Sequence, residues 1–163
     1  MKKSLVLLIL IGVFSTSCSL YKKAAYEDQK VTRVTYRFID SSVPPQYHRS
    51  YSIEVYPNSI KLIVDSYGDV LLEKIYSSNP EIFNSAMAAF DSAKIRKGEE
   101  KDSPGCTGGK SEKVILHNES VTSFSAYVYH CMGDWGDLRG NIEKFSKEIK
   151  VLIPDLASII AAL

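Results

Sequence analysis

Three cysteines, three histidines and a single tryptophan set between acids are the side chains of this sequence best suited to chemistry. Gly133-Asp134-Trp135-Gly136-Asp137 puts the indole between two carboxylates and two glycines. An indole in such a loop stacks on a sugar or anchors a protein partner, and flanking carboxylates accept hydrogen bonds from hydroxyls. Trp135, Asp134 and Asp137 are therefore the candidate ligand-binding residues. The plainer reading, which we prefer, folds Trp135 over the end of the core, gives Asp134 to a turn and makes Asp137 a helix cap. Tyr51, Tyr127 and Tyr129 offer the same choice between a binding face and half-buried sheet positions.

His48, His117 and His130 each carry a potential general base, but no nucleophile-elbow or zinc-protease spacing surrounds them. They read as surface or edge histidines, and no catalytic residue is assigned. Cys106 and Cys131 together with His117 and His130 fit no zinc-ligand spacing, and adjacent residues of one strand, His130 and Cys131, point to opposite faces. No metal or cofactor is expected. Gly108-Gly109-Lys110-Ser111 ends like a phosphate-binding loop, yet Pro104 stands where an earlier glycine is needed and the segment leads into a strand. No helix N-terminus would face a phosphate there.

The elements that must position these residues follow from periodicity. Alternation predicts strands over Val31 to Ile39, Tyr51 to Tyr56, Ser59 to Asp65 and Val70 to Tyr76, joined as an antiparallel meander. Val34, Tyr36 and Phe38 share one face of the first strand. Asn79-Pro80 reads as a cap followed by proline at the first helical position, with a helix from Pro80 to about Arg96 ended by Gly98 and charged residues. A hairpin follows, Glu112 to His117 and Val121 to Cys131. Leu138, Ile142, Phe145, Ile149 and Leu152, spaced by four, three, four and three, predict a final helix up to Pro154, with a short one in the tail. The expected fold is α+β: an antiparallel sheet of about six strands, ordered as four-stranded meander, helix, hairpin and helix, with two main helices on one face.

The N-terminus has its own chemistry. Lys2 and Lys3 precede an apolar run from Leu5 to Phe14, then the small residues Ser15, Thr16 and Ser17, then Cys18. That is the order of a secretory leader. A run of about 10 residues at about 1.5 Å each covers only half of the ~30 Å hydrocarbon layer, too short to span it. Ser15-Thr16-Ser17-Cys18 resembles the lipobox of bacterial lipoproteins. The resemblance implies removal of residues 1–17, lipidation of Cys18 by diacylglyceryl and palmitate-type chains, durable attachment to a bilayer at about 0.8 kcal/mol per buried methylene, and an address in the cell envelope. Ser19 after the cysteine favours the outer membrane, facing the periplasm.

Lipidation of Cys18 leaves Cys106 and Cys131 in an oxidising compartment, where a disulfide between them is the natural pairing. Removing 17 of 163 residues leaves 146, divided into a lipidated tether over 18–30 and one globular domain over 31–163. Loss of Lys2 and Lys3 lowers the basic count from 20 to 18 against 19 acids. Such a balance gives no electrostatic reason to expect nucleic acid. Lys22 and Lys23 read as part of a solvated tether.

A second resemblance covers roughly Gly105 to Leu156. Gly105-Cys106-Thr107-Gly108-Gly109, Tyr129-His130-Cys131, Gly140-Asn141-Ile142 with Phe145, and Ile153-Pro154-Asp155 look like the C-terminal half of small uncharacterised bacterial lipoproteins, and imply no activity. The expectation is a membrane-anchored envelope lipoprotein, read as a non-catalytic binding or interaction module with an envelope protein or glycan as partner. Alternatives are a periplasmic enzyme inhibitor of the lysozyme-inhibitor kind and, behind it, an envelope hydrolase.

Overall fold

A strand that alternates apolar with polar residues can bury one face only, and eight strands solve this by curling one antiparallel sheet around their common apolar side. The computed structural model describes residues 30–163 apart from 106 and 120. The leader, Cys18, the tether up to residue 29 and Cys106 therefore lie outside the described residues. Within 31–163, which form one unit, the strands are β1 (Arg33–Ile39), β2 (Ser50–Val55), β3 (Ser59–Ser66), β4 (Asp69–Ser77), β5 (Arg96–Lys101), β6 (Lys110–Asn118), β7 (Val121–His130) and β8 (Asp134–Arg139). The helices are α1 (Pro80–Ser92), α2 (Ile142–Lys150) and α3 (Leu156–Ala161). The sheet order is β4-β3-β2-β1-β6-β7-β8-β5.

β1 is central, pairing with β2 through Tyr36 opposite Ile53 and with β6 through Tyr36 opposite Val114. Its inward row continues across the sheet as Ile53 and Val55, Leu62 and Val64, Val114 and Leu116, Ala126 and Val128, all buried. α1 and α2 fill the concavity. Phe90 of α1 meets Phe124 edge-on at 5.2 Å and Phe145 of α2 at 6.2 Å, while Phe145 also meets Tyr36 at 6.4 Å. Such tilted ring pairs contribute about 0.5–1.5 kcal/mol each beyond the area they bury.

Both helix starts are capped by asparagine. The Asn79 side chain accepts from the Ile82 amide at 3.0 Å, with Pro80 in the first turn, and Asn141 accepts from the Lys144 amide at 2.9 Å. The end of α1 and the start of α2 are joined directly, because the Asn141 amide donates to the Ala93 carbonyl at 2.8 Å. Gly140 makes this approach at φ +112°, with the Lys94 carbonyl where a Cβ would stand. Among the described residues no helix is long and apolar enough to cross a membrane.

The expected six strands and two main helices are corrected, among the described residues, to eight strands and three short helices. In the sequence, residues 96–101 read as the end of a helix and its charged terminus. Arg-Lys-Gly-Glu-Glu-Lys has no apolar alternation, and it is a strand because β8 offers it an unpaired edge, Arg96 opposite Arg139 and Lys97 opposite Leu138. α1 stops at Ser92, where Lys94 takes φ 55°. In the sequence, residues 134–139 read as a loop that runs into the final helix. Leu138 falls on the helical spacing by coincidence: it is a buried strand residue, and Gly140 breaks the phase before α2 begins at Ile142.

Candidate functional site

One end of the concave face is an open cleft of about 580 Å³, bounded by the end of β1, the loop into β2, the start of β6, the end of α2 and α3. The strand pleat decides what faces it. Phe38 and Tyr51 are cross-strand partners on the inward row, and their rings stack at 5.1 Å and 27°. Ile160 of α3 and the exposed Tyr47 complete an apolar lining. A volume of this order suits a small molecule, for which clefts of about 300–1,000 Å³ are usual.

Lys110, the first residue of β6, holds its ammonium 5.7 Å from the Phe38 ring centre, and Lys150, the last of α2, holds its own 5.3 Å from that of Tyr36. Neither lysine forms an ion pair with a carboxylate among the described residues. Arg49 adds a third positive charge, its guanidinium donating to the His48 and Gln46 carbonyls at 2.8 and 3.0 Å. The one acidic side chain of the lining, Asp40, is occupied by the loop itself, accepting from the amides of Ser41 at 2.8 Å and Arg49 at 3.1 Å.

The loop that forms this wall is anchored by His48, which is buried rather than at a surface or edge. Its Nδ1 accepts from the Tyr67 amide at 3.3 Å, which places the ring hydrogen on Nε2, 3.3 Å from Ser50 Oγ. Tyr67 stacks on the imidazole at 3.9 Å. In the stretch where Pro44 and Pro45 interrupt pairing, the Pro45 carbonyl accepts from the Ser66 hydroxyl at 2.8 Å and from the His48 amide at 3.3 Å.

Beside the cleft runs a chain of polar groups. His130 lies between two carboxylates, Nδ1 at 2.7 Å from Asp134 and Nε2 at 3.0 Å from Glu112. Glu112 accepts from the Tyr36 hydroxyl with its other oxygen, and the Tyr36 ring lies beside that of Tyr51, centres 6.2 Å apart. Partial burial of His130 opposes its charge, but hydrogen bonds to Asp134 and Glu112, with their negative charges, outweigh it and raise its pKa. Burial is also the main cause that pushes the Tyr51 hydroxyl up to about 12 and the Tyr36 hydroxyl higher still. Both phenols are neutral donors at ordinary pH. The imidazolium, with two N–H donors, suits two ionised acceptors.

Of the residues that the sequence singles out, Trp135 and Tyr129 are cross-strand partners on the outward row of β8 and β7 and Asp137 is tied to Tyr127, while Tyr51 and Asp134 lie on the inward row. Trp135 is half-buried on β8, packs on Gly133 and donates from Nε1 to the Cys131 carbonyl at 2.9 Å. Asp137 caps no helix. It is buried, accepts from the Tyr127 amide at 2.8 Å and pairs with Lys97 at 3.0 Å. Burial resists its charge, but these partners hold its carboxyl below the usual range. Asp134 is on the opposite, inward row, with His130. Tyr127 reaches Glu100 at 2.6 Å, and the Tyr129 ring occupies the space a Cβ on Gly109 would need.

No family model, curated protein or solved structure matches this chain.

Its functional reading therefore rests on geometry. Gly108 and Gly109 lead into β6 at Lys110, so this lysine is presented by a strand start on the inward row. Among the described residues no group of three His, Cys, Asp or Glu side chains is gathered as a metal-binding set. Sequence reading missed Phe38, Lys110, Lys150 and Glu112 as a neighbourhood. Inward parity at strand ends was available for the aromatic pair, but nothing local brings Lys150 of α2 to Tyr36 of β1.

Proposed function

We propose that this chain is a lipid-anchored protein of the bacterial cell envelope whose domain binds a ligand in the cleft lined by Phe38, Tyr51, Lys110 and Lys150, without transforming it. The tether reading is supported by the N-terminal order of Lys2 and Lys3, apolar run, Ser15-Thr16-Ser17 and Cys18. The binding reading is carried by one observation: two ammonium groups stand over aromatic rings at the cleft with no carboxylate paired to them. The Cys106–Cys131 disulfide is part of the proposal and suits an oxidising envelope. Catalysis is left out because the lining's one acidic side chain is occupied in holding its loop.

The test is native mass spectrometry of the protein taken from membranes in mild detergent. The expected mass lacks residues 1–17 and carries acyl groups on Cys18, together with a bound small molecule that is lost in the Lys110→Gln/Lys150→Gln variant. An unmodified Cys18 or a retained leader would contradict the tether. An adduct unaffected by the double variant would contradict the cleft.

A further inference from the structure

The chemistry of the lining limits what the cleft can hold. Phe38, Tyr51, Tyr47 and Ile160 give it an apolar floor and walls, which favours a ligand body that leaves water on binding. A sugar would call instead for several hydrogen-bonding side chains, and of the loop's polar groups Asp40 is engaged with the Ser41 and Arg49 amides and Ser50 with the Asp40 amide and His48, which leaves the Gln46 amide and the Tyr47 hydroxyl beside the cations. The charges that remain are positive. Lys110 and Lys150 lie on different elements, yet both stand over rings of the same aromatic group, because Tyr36 and Tyr51 are neighbours at 6.2 Å and Tyr51 stacks on Phe38.

Holding a cation over a ring is worth only about 0.5–1 kcal/mol at an exposed site, whereas a hydrogen bond to an ionised partner is worth about 1.5–3 kcal/mol. An arriving anion therefore competes well with the rings for the two ammonium groups. With Arg49 also lining the cleft, three cationic side chains face one acidic side chain, Asp40, which its own loop occupies.

We infer that the cleft binds an amphiphile with one anionic end group, a carboxylate or phosphate monoester, and one apolar chain. The chain lies along Phe38, Tyr51 and Ile160, and the anion lies between Lys110 and Lys150. This deepens the binding reading above and depends on it. The ligand is a monomer taken into the cleft rather than the surface of a bilayer, because the apolar lining gives a place to the chain as well as to the charge.

Isothermal titration of the folded domain, residues 31–163, with dodecanoate and with dodecyl phosphate below their micelle-forming concentrations tests the inference. Dodecyltrimethylammonium and dodecanol are the charge controls, and phosphatidylglycerol vesicles are the bilayer control. Both anions are expected to bind at one site, the cation not at all and the alcohol at least about tenfold more weakly, a factor equal to about 1.4 kcal/mol. Lys110→Gln/Lys150→Gln is expected to weaken the anions by about tenfold or more and to reduce their salt dependence to what Arg49 alone leaves, while Lys101→Gln on the distant β5 edge changes neither. Tyr47→Ser, at an exposed position of the lining, weakens all chain-bearing probes together. Equal binding of the cationic and anionic probes, binding to vesicles alone, or no binding of either anion would overturn the inference. If the membrane-purified protein still carries a small molecule that the double lysine variant loses, the cleft reading survives that failure and only the ligand class falls.

Discussion

The ammonium of Lys150 stands 5.3 Å from the centre of the Tyr36 ring, joining the last residue of α2 to the central strand of the sheet. A ring attracts a cation through its quadrupole and leaves the charge unneutralised, which a carboxylate would not. Lys110 has the same relation to Phe38 at 5.7 Å. The cleft thus keeps two fixed positive charges beside apolar surface.

The position of Lys150 depends on α2, and α2 is fixed by Phe145, which is fully buried between Tyr36 and Phe90. Phe145→Ala is expected to cost about 3–5 kcal/mol, as other buried aromatic truncations do. Urea unfolding measures it, and a loss below about 1 kcal/mol would mean that α2 is held by something else.

Gly140 joins α1 to α2 at φ +112°. Gly140→Ala forces a side chain into a left-handed backbone position and against the Lys94 carbonyl, so destabilisation of at least about 2 kcal/mol is expected. Thermal unfolding of this variant beside Gly68→Ala, which has φ +98° but open space around its Cβ, separates the contact from the backbone strain. Equal losses in the two would remove the contact from the account.

His130 makes stability depend on pH. Its folded pKa is raised above its ordinary value of 6.5, so its contribution is fully present below about pH 6.5 and is lost as pH rises through the folded value. His117 acts in the opposite sense. Burial, then the charge of Arg33, lowers its pKa, so it costs the fold nothing while neutral above about pH 6.5 and lowers stability as pH falls below that value. Unfolding free energies measured across this range for His130→Gln and His117→Gln separate the two. A His130→Gln profile that still declines with rising pH as the parent does would contradict the pairing with Asp134 and Glu112.

Oxidation of the proposed Cys106–Cys131 pair is expected to protect both thiols from alkylation in the folded, non-reduced domain, and Cys131→Ser to cost about 3 kcal/mol. Peptide mapping after alkylation without reductant reads this directly. Free labelling of both cysteines would exclude the bond.

Much of the sheet was legible in the sequence because its core is written in alternation. Val34 and Tyr36, Ile53 and Val55, Leu62 and Val64 announce their strands and their buried side. β5 and β8 were not legible. A strand such as Arg96–Lys101 buries almost nothing and exists through backbone pairing, which leaves no mark in side-chain type. In β8, Asp134 beside its glycines reads as a turn residue and Asp137 as a helix cap, although Gly136 continues the strand at φ +100° and Asp137 is buried against Lys97 and the Tyr127 amide. The cleft was least legible, since Lys110 and Lys150 are brought together only by the packing of α2 on β1. His130 and Asp134 meet across a tight connection between strands, where spacing by four means register rather than a helical turn.

The most direct measurement is hydrogen–deuterium exchange of the domain with and without saturating dodecyl phosphate. Slowed exchange is expected in the segments around Phe38–Tyr51, at the start of β6 and over Phe145–Leu163, with the Cys131–Arg139 segment unchanged. Protection centred on Trp135 with none at the cleft would contradict the central claim.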